Sequence, residues 1–321
     1  MFAMHTRHML TCPTDSSLPR PTLCWKTPPH MPQPWVAIQR NPSSGAGPRS
    51  QPIHDLIREL RLRGITPRLY SRRADFDAAV TAPERRPDLI AAVAAGGDGT
   101  ILDLVNRHPD LPLCLLPLGT ENLLAKYLKI PRSGSGVAEI IARGHRRRLD
   151  LGRLNGRLFL IMVSVGFDAE VIHRVHAQRQ GGHVRHTSYI GPILKSFWSF
   201  RPQSLRVTVD DSPIVHEGQL VVVANLSSYA LNIGVVPTAD GSDGLLDARL
   251  FTARTRTGLL RSILSVLRGT HEDDPAVVRL TGHTFRIESD RPAPLQADGD
   301  PAGTTPAEIT IEPLGIEFIV P

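Results

Sequence analysis

The chain has 321 residues, 41% hydrophobic and 21% charged, which excludes an intrinsically disordered polymer and exceeds one core of ordinary size, so two domains are expected. No apolar run reaches the roughly 20 residues of a membrane-spanning helix, and the three cysteines (Cys12, Cys24 and Cys114) fit neither a disulfide framework nor a zinc site, which points to a reducing cytoplasm. The formal net charge of +6 is compatible with nucleic acid, anionic lipid or phosphate-bearing partners and separates none of them.

Residues 1–33 are rich in proline and polar residues and lack the continuous apolar core of a secretory signal. They are expected to be a disordered leader or an over-long start, with Met31 as a candidate beginning. From Trp35 the pattern becomes regular. "WVAIQ" reads as a strand, followed by the loop "NPSSGAG" and a helix over "PIHDLIRELRLRG", where Ile53, Leu56, Ile57 and Leu60 share one face. "TPRLYS", "DLIAAVAA" and "LPLCLLPL" read as further strands, with helices at "ADFDAAVTA" and "TILDLVNRH". Unbroken apolar strands alternating with amphipathic helices predict a parallel sheet covered on both faces, an α/β domain over 34–149. Ligands of such sheets bind at the carboxyl ends of the strands. The loops "NPSSG", "GGDGT" and "PLGTEN" all open at that edge.

The turn Gly96-Gly97-Asp98-Gly99-Thr100 carries more glycine than a strand-to-helix connection needs. Glycine lets main-chain N–H groups face an anion, and the helix that follows adds its positive end. The turn has no Gly-Lys-Ser/Thr ending, so it is not the usual P-loop, and it is not Gly-x-Gly-x-x-Gly. An aspartate among phosphates would repel them unless a divalent cation intervenes. Asp98 therefore implies magnesium, or a hydrogen bond to a ribose or other hydroxyl.

After "RGHRRRLDLG" the texture changes. "GRLFLIMVSVGF", "SLRVTVDDSPIVHEGQLVVVANL", "LLDARLFTA", "TFRIESD" and "AEITIEPLGIEFIVP" are strand-like, and predict a mostly antiparallel second domain over 150–315, a β-sandwich. Helices are expected only at 169–200 and 256–268. The first segment sets cations and histidines ahead of Ile190, Ile193, Leu194, Phe197, Trp198 and Phe200. It reads either as a helix packed on the sandwich or as a surface resting on an anionic bilayer. His173, His176, His183 and His186 have loose metal-ligand spacing without a cysteine, and are read as solvated side chains rather than a zinc site.

"GGDGT" followed by "LPLGTEN" resembles the diacylglycerol kinase catalytic domain shared by bacterial lipid kinases, sphingosine kinases and ceramide kinases. "NPSSGAG" at 41–47, "VGFDAEV" at 165–171, "VVPTADGSDGLLD" at 235–247 and "PLQADGDPAG" at 294–303 resemble further elements of that family, in its order. The resemblance implies an α/β nucleotide-binding domain, a β-rich second domain and a cleft between them, with the last strand, about 316–321, returning to the first domain. It implies transfer of the γ-phosphoryl group of ATP, with Mg2+, to a lipid bearing a free hydroxyl.

By matching position, Asn41, Pro42, Ser43, Ser44, Gly45, Gly96, Gly97, Asp98, Gly99, Thr100, Gly119, Thr120 and Asn122 would hold the nucleotide. Ser71 lies where relatives often carry a nucleotide-contacting threonine. Asp240, Asp243 and the carbonyl of Leu245 would bind magnesium, whose preference for oxygen donors they suit. Asp300, in the family's glutamate position, is the first choice of proton acceptor, with Asp298 next, and Asp98 is counted with them as catalytic. Three positions depart from the family pattern: Leu123 replaces an aspartate, Asp300 shortens the glutamate of Asp-Gly-Glu, and Asp103 stands where a glutamate is common.

The resemblance also implies a cytoplasmic enzyme in peripheral contact with the inner face of the membrane, and a homodimer is the state of many related enzymes. Two other readings stay open at this point. One is an NAD kinase-like enzyme, which shares "GGDGT"; the other is a catalytically weakened nucleotide- or lipid-binding regulator, suggested by Leu123 and Asp300. No nucleic-acid partner is expected, because the chain shows no aromatic-interleaved basic strand or recognition helix.

Overall fold

The computed structural model describes residues 33–41, 50–177, 190–199, 203–227 and 233–321. The expected leader, Pro42, Ser43, Ser44 and Gly45 of the first loop, and His183 and His186 lie outside the described residues.

The first lobe alternates strands and helices: β1 (Trp35–Arg40), α1 (Ser50–Leu62), β2 (Thr66–Tyr70), α2 (Arg73–Thr81), β3 (Leu89–Gly96), α3 (Asp98–Arg107), β4 (Leu113–Pro117), α4 (Leu123–Tyr127) and α5 (Gly134–Arg143). The strands pair in parallel in the order β2-β1-β3-β4. β3 and β4 bury nearly every side chain because helices cover both faces, which is why their sequences are unbroken apolar runs. The sequence pattern assigned no element to α5. Its signals are a Ser133 cap, whose side chain accepts the Gly136 N–H, and Gly144 in the left-handed conformation at its end.

The second lobe comprises β5 (Arg146–Leu154), β6 (Arg157–Phe159), β7 (Met162–Val165), α6 (Phe167–Ala177), α7 (Ile190–Ser199), β8 (Leu205–Val209), β9 (His216–Gly218), β10 (Leu220–Ala224), β11 (Leu246–Phe251), α8 (Arg256–Arg268), β12 (Val277–Gly282), β13 (Thr284–Ser289), β14 (Pro294–Ala297), β15 (Asp300–Thr304) and β16 (Ala307–Ile319). β7, β10, β11, β12, β14 and β15 form a six-stranded antiparallel sheet in the order β12-β11-β10-β7-β14-β15. The facing layer of β16, β13, β8 and β9 continues the sheet of the first lobe. Val163, Val165, Val221 and Val223 of one layer meet Val207, Phe285, Ile287 and Ile309 of the other in a sandwich core. The architecture is thus an α/β lobe with a parallel sheet followed by an antiparallel β-sandwich.

Two features join the lobes. β16 pairs antiparallel with β13 and β5, and its end lies parallel to β4 at Phe318 and Leu113. The outer face of the six-stranded sheet is also covered: Met162, Val222 and Ala224 belong to the same apolar cluster as Leu104 and Leu115 of the first lobe. Hence "LVVVA" is unbroken rather than alternating. β5 runs through residues 149 and 150, so the change of texture in the sequence falls inside one strand.

Candidate active site

β3 ends at Gly96, and Gly97 caps α3 with an extended backbone. The neighbouring strand β4 runs into Gly119-Thr120-Glu121-Asn122, and the two turns touch backbone to backbone. A Cβ placed on Gly119 would come within 2.6 Å of Gly97 Cα and 2.8 Å of Asn122 Oδ1, so no side chain fits there. Asn122 is buried in the left-handed region (φ 51°) and closes its turn on itself: Oδ1 accepts the Gly119 N–H at 2.9 Å and Nδ2 donates to the Gly119 carbonyl at 2.8 Å. Asn41 Nδ2 donates to Thr100 Oγ1 at 3.3 Å, tying the end of β1 to the same place.

Asp98 takes an unexpected part. Its Oδ2 accepts the Leu123 N–H at 3.0 Å and its Oδ1 accepts the Leu124 N–H at 3.2 Å, so the carboxylate caps the start of α4. Burial raises the Asp98 carboxyl above its ordinary range, against the lowering effect of these two donors.

In the second lobe, Asp298 and Gly299 form the turn between β14 and β15. Asp298 has φ 49° and accepts three consecutive N–H groups, from Leu160 at 2.7 Å, Ile161 at 2.8 Å and Met162 at 2.9 Å. Burial pushes its carboxyl up to about 6 despite those donors, and the charge of Asp98 adds to the rise. The segment Asp298 holds is tied to the first lobe nearby: Asn106 of α3 donates to the Leu158 carbonyl at 3.4 Å and accepts the Leu158 N–H at 3.2 Å. Asp298, the second choice of base, thus holds three main-chain N–H groups with its two oxygens. Asp300 opens β15 half-buried, opposite Ala297.

A buried polar relay supports this turn. Asp168 Oδ2 accepts from Ser164 Oγ at 2.6 Å and from Gln296 Nε2 at 3.2 Å, while Gln296 Oε1 accepts the Gly299 N–H at 2.9 Å. "VGFDAEV" thus positions the Asp298-Gly299-Asp300 segment through Gln296. Ser164 and Gln296 went unremarked in the sequence, although a lone polar residue within an apolar strand is the signal that would have found them. Arg132 was missed as well; its Nη2 donates to the carbonyls of Gly119 and Thr120, each at 3.1 Å. Asp103 pairs with Arg107 at 3.0 Å and Arg73 at 3.2 Å, behind the turn rather than in it.

The loop expected to bind metal packs on the first lobe. Asp240 and Asp243 are exposed and share one turn. Asp240 Oδ1 accepts from Ser242 Oγ at 2.8 Å and Tyr127 Oη at 3.2 Å, with Arg147 Nη2 at 3.7 Å. Asp243 Oδ1 accepts the Leu245 N–H at 2.9 Å. Beneath the loop, buried Asp150 accepts the N–H groups of Gly244 at 2.8 Å and Leu314 at 2.7 Å. Among the described residues no group of three or more His, Cys, Asp or Glu side chains is gathered for a metal. The expected donor set of two carboxylates and a carbonyl is chemically suited to magnesium, and neither carboxylate Oδ2 takes part in these contacts. Ser71 is exposed just after β2. His173 is not solvated as expected; its Nε2 lies 2.7 Å from the Leu295 carbonyl.

Glycine turns at the carboxyl edge of a parallel sheet, faced by an acidic turn from a β-sandwich, define a two-lobed phosphotransferase. Residues 36–154 match the family model described as the diacylglycerol kinase catalytic domain, and residues 161–320 match the YegS C-terminal NAD kinase beta sandwich-like domain. A diacylglycerol kinase of Mycobacterium tuberculosis is 30% identical over 296 residues, covering 89% of this chain and 95% of that protein. One from Staphylococcus epidermidis is 27% identical over 294 residues, covering 88% and 90%. A crystal structure of a diacylglycerol kinase from Bacillus anthracis shares the fold, with a TM-score of 0.69 at 20% identity over 90% of this chain and 97% of that one. The chain belongs to the diacylglycerol kinase family and is a kinase with an alcohol group as acceptor. Among the described residues no helix is long and apolar enough to cross a membrane.

Proposed function

We propose that the chain transfers the γ-phosphoryl group of magnesium-bound ATP to the free hydroxyl of a membrane lipid of the diacylglycerol or sphingoid type. The observation that carries this reading is the backbone contact of the Gly97 and Gly119 turns at the carboxyl edge of the parallel sheet. Two turns packed so closely that a Cβ would collide form a cradle for phosphates at the start of α3, whose first N–H groups lie outside the helix ladder. Asn41, just after β1, braces that cradle through Thr100 of α3, and Gly119, Thr120 and Asn122 supply its second wall, held by Arg132.

Phosphoryl transfer depends mainly on positioning and charge neutralisation. Magnesium would neutralise charge developing on the phosphates, and Asp240, Asp243 and the Leu245 carbonyl are the residues suited to hold such an ion. Asp300 takes the proton of the lipid hydroxyl as the hydroxyl oxygen bonds to the γ-phosphorus, whose bond to the β–γ bridging oxygen breaks to release ADP. Asp98 and Asp298 keep the two walls in register by fixing main-chain N–H groups.

The test is incubation of the purified protein with γ-labelled ATP and total membrane lipid, with NAD as a parallel acceptor. A labelled lipid that disappears when magnesium is chelated supports the proposal. Labelled NAD phosphate with no labelled lipid would favour an NAD kinase-like enzyme. Nucleotide-induced thermal stabilisation without any labelled lipid would favour a regulatory protein.

A further inference from the structure

We infer that α7 and α8 together form a docking surface for an anionic bilayer. The inference rests on the lipid-kinase reading only for its purpose; the surface itself is argued from the two helices. They are far apart in sequence, yet a small apolar cluster ties them together: Phe197 of α7 and Leu259 and Ile263 of α8 pack with Phe167, Val171 and Val175 of α6. α6 in turn lies on β14, where His173 meets the Leu295 carbonyl, so the pair packs on the helix that covers the strand leading into the Asp298 turn.

The opposite faces of both helices are apolar and uncovered. Six of the eleven exposed large hydrophobic residues among those described lie on these two short elements: Ile193, Leu194, Trp198, Leu260, Leu264 and Leu267. Trp198 is 68% exposed and Leu267 59%. Leu260, Leu264 and Leu267 follow i, i+4, i+7 spacing and so form one stripe, turned away from the buried Leu259, Ser262 and Ser265. Such a concentration of exposed apolar surface marks an interaction site.

Charge identifies the partner. α7 carries Lys195 and α8 carries Arg256, Arg261 and Arg268, and neither helix contains an acidic residue. The acids that touch the pair are Glu170, which accepts from Ser199 Oγ of α7 at 3.3 Å and is paired with Arg174, and Asp273 and Asp274, which face α8 across a shallow cavity where Arg261 lies 3.6 Å from Asp274. Leucine and tryptophan edged by arginine match the boundary between acyl chains and anionic headgroups, where side chains of this kind insert or snorkel.

The test uses the full chain without nucleotide or acceptor, so it is independent of kinase activity. Vesicles of phosphatidylcholine alone are compared with vesicles containing phosphatidylglycerol. The wild type is expected to sediment with the anionic vesicles and to be released by salt, and bilayer-embedded brominated lipid should quench Trp198. Leu260→Ser with Leu264→Ser should lower partitioning at least tenfold, and Arg256→Gln and Arg268→Gln about fivefold each, with thermal stability unchanged. Failure to bind anionic vesicles, or binding insensitive to these substitutions, would overturn the inference. So would a concentration-dependent dimer in solution that the leucine substitutions dissolve, since a second copy of the chain would then be the occupant. A chain that binds vesicles but labels no lipid would retain this surface and lose the kinase reading.

Discussion

Asp98 in the α/β lobe and Asp298 in the sandwich both have carboxyls raised by burial, and both act as staples for main-chain N–H groups at sharp turns. They differ in what they hold. Asp98 takes two donors from a short helix in its own lobe, whereas Asp298 takes three from the residues that lead into β7. The sequence motif makes them look equivalent to Asp300, as one acidic set around a phosphate. The structure shows Asp98 and Asp298 engaged by main-chain donors at the two walls, and Asp300 half-buried at the start of β15. An acid in a phosphate site can therefore serve the chain before it serves the substrate.

Breaking that division at Asp300 has the largest expected effect. Asp300→Asn should lower turnover roughly a hundredfold to ten-thousandfold, the usual contribution of a positioned base, with an unchanged unfolding midpoint. Labelled-lipid assays beside thermal melts measure both, and wild-type turnover would remove Asp300 from the chemistry.

At Asp298 the expected signature is pH-dependent stability. An acid whose folded pKa is about 6, above its ordinary value of 3.8, binds its proton more tightly when folded. Its contribution is fully present below the unfolded value and is lost as pH rises through the folded one, a change on the order of 3 kcal/mol. Denaturant unfolding of the wild type should therefore show stability gained between pH 7 and pH 5, relative to Asp298→Asn. Parallel profiles for the two proteins would show that the Asp298 carboxyl is not raised in the folded chain. Asp98→Ala should cost about 1–2 kcal/mol, the loss of a helix cap, and urea titration would detect it.

How much of this was legible follows from which interactions are local. The α/β lobe could be read because β3 and β4 are buried on both faces and their unbroken runs declare it. The glycine turns could be located, since only glycine permits Gly97 and Gly119 to touch. The positions of Gln296 and Ser164 could not be tied to each other, because the bond between them spans 132 residues. Each does stand as a lone polar side chain in an apolar strand, and a buried polar group must find a partner. Nor could the sequence show that Asp98 would spend both oxygens on α4, because main-chain donors leave no trace in residue identity.

The smallest effect sharpens the question of the metal. Tyr127 Oη donates to Asp240 and accepts from Gly241 N–H, both contacts crossing from α4 to the loop, and Arg147 lies over the Tyr127 ring. Tyr127→Phe removes those hydrogen bonds at a cost of about 1 kcal/mol and leaves the loop less ordered, so the magnesium concentration for half-maximal activity should rise a few-fold. Arg147→Gln acts in the other direction. It takes away a cation 3.7 Å from an Asp240 oxygen, and a divalent ion no longer competes with a guanidinium there, so the same midpoint should fall. Opposite shifts would assign the ion to Asp240, whereas two unchanged midpoints would confine magnesium to the nucleotide and leave Asp240 as a latch between the lobes.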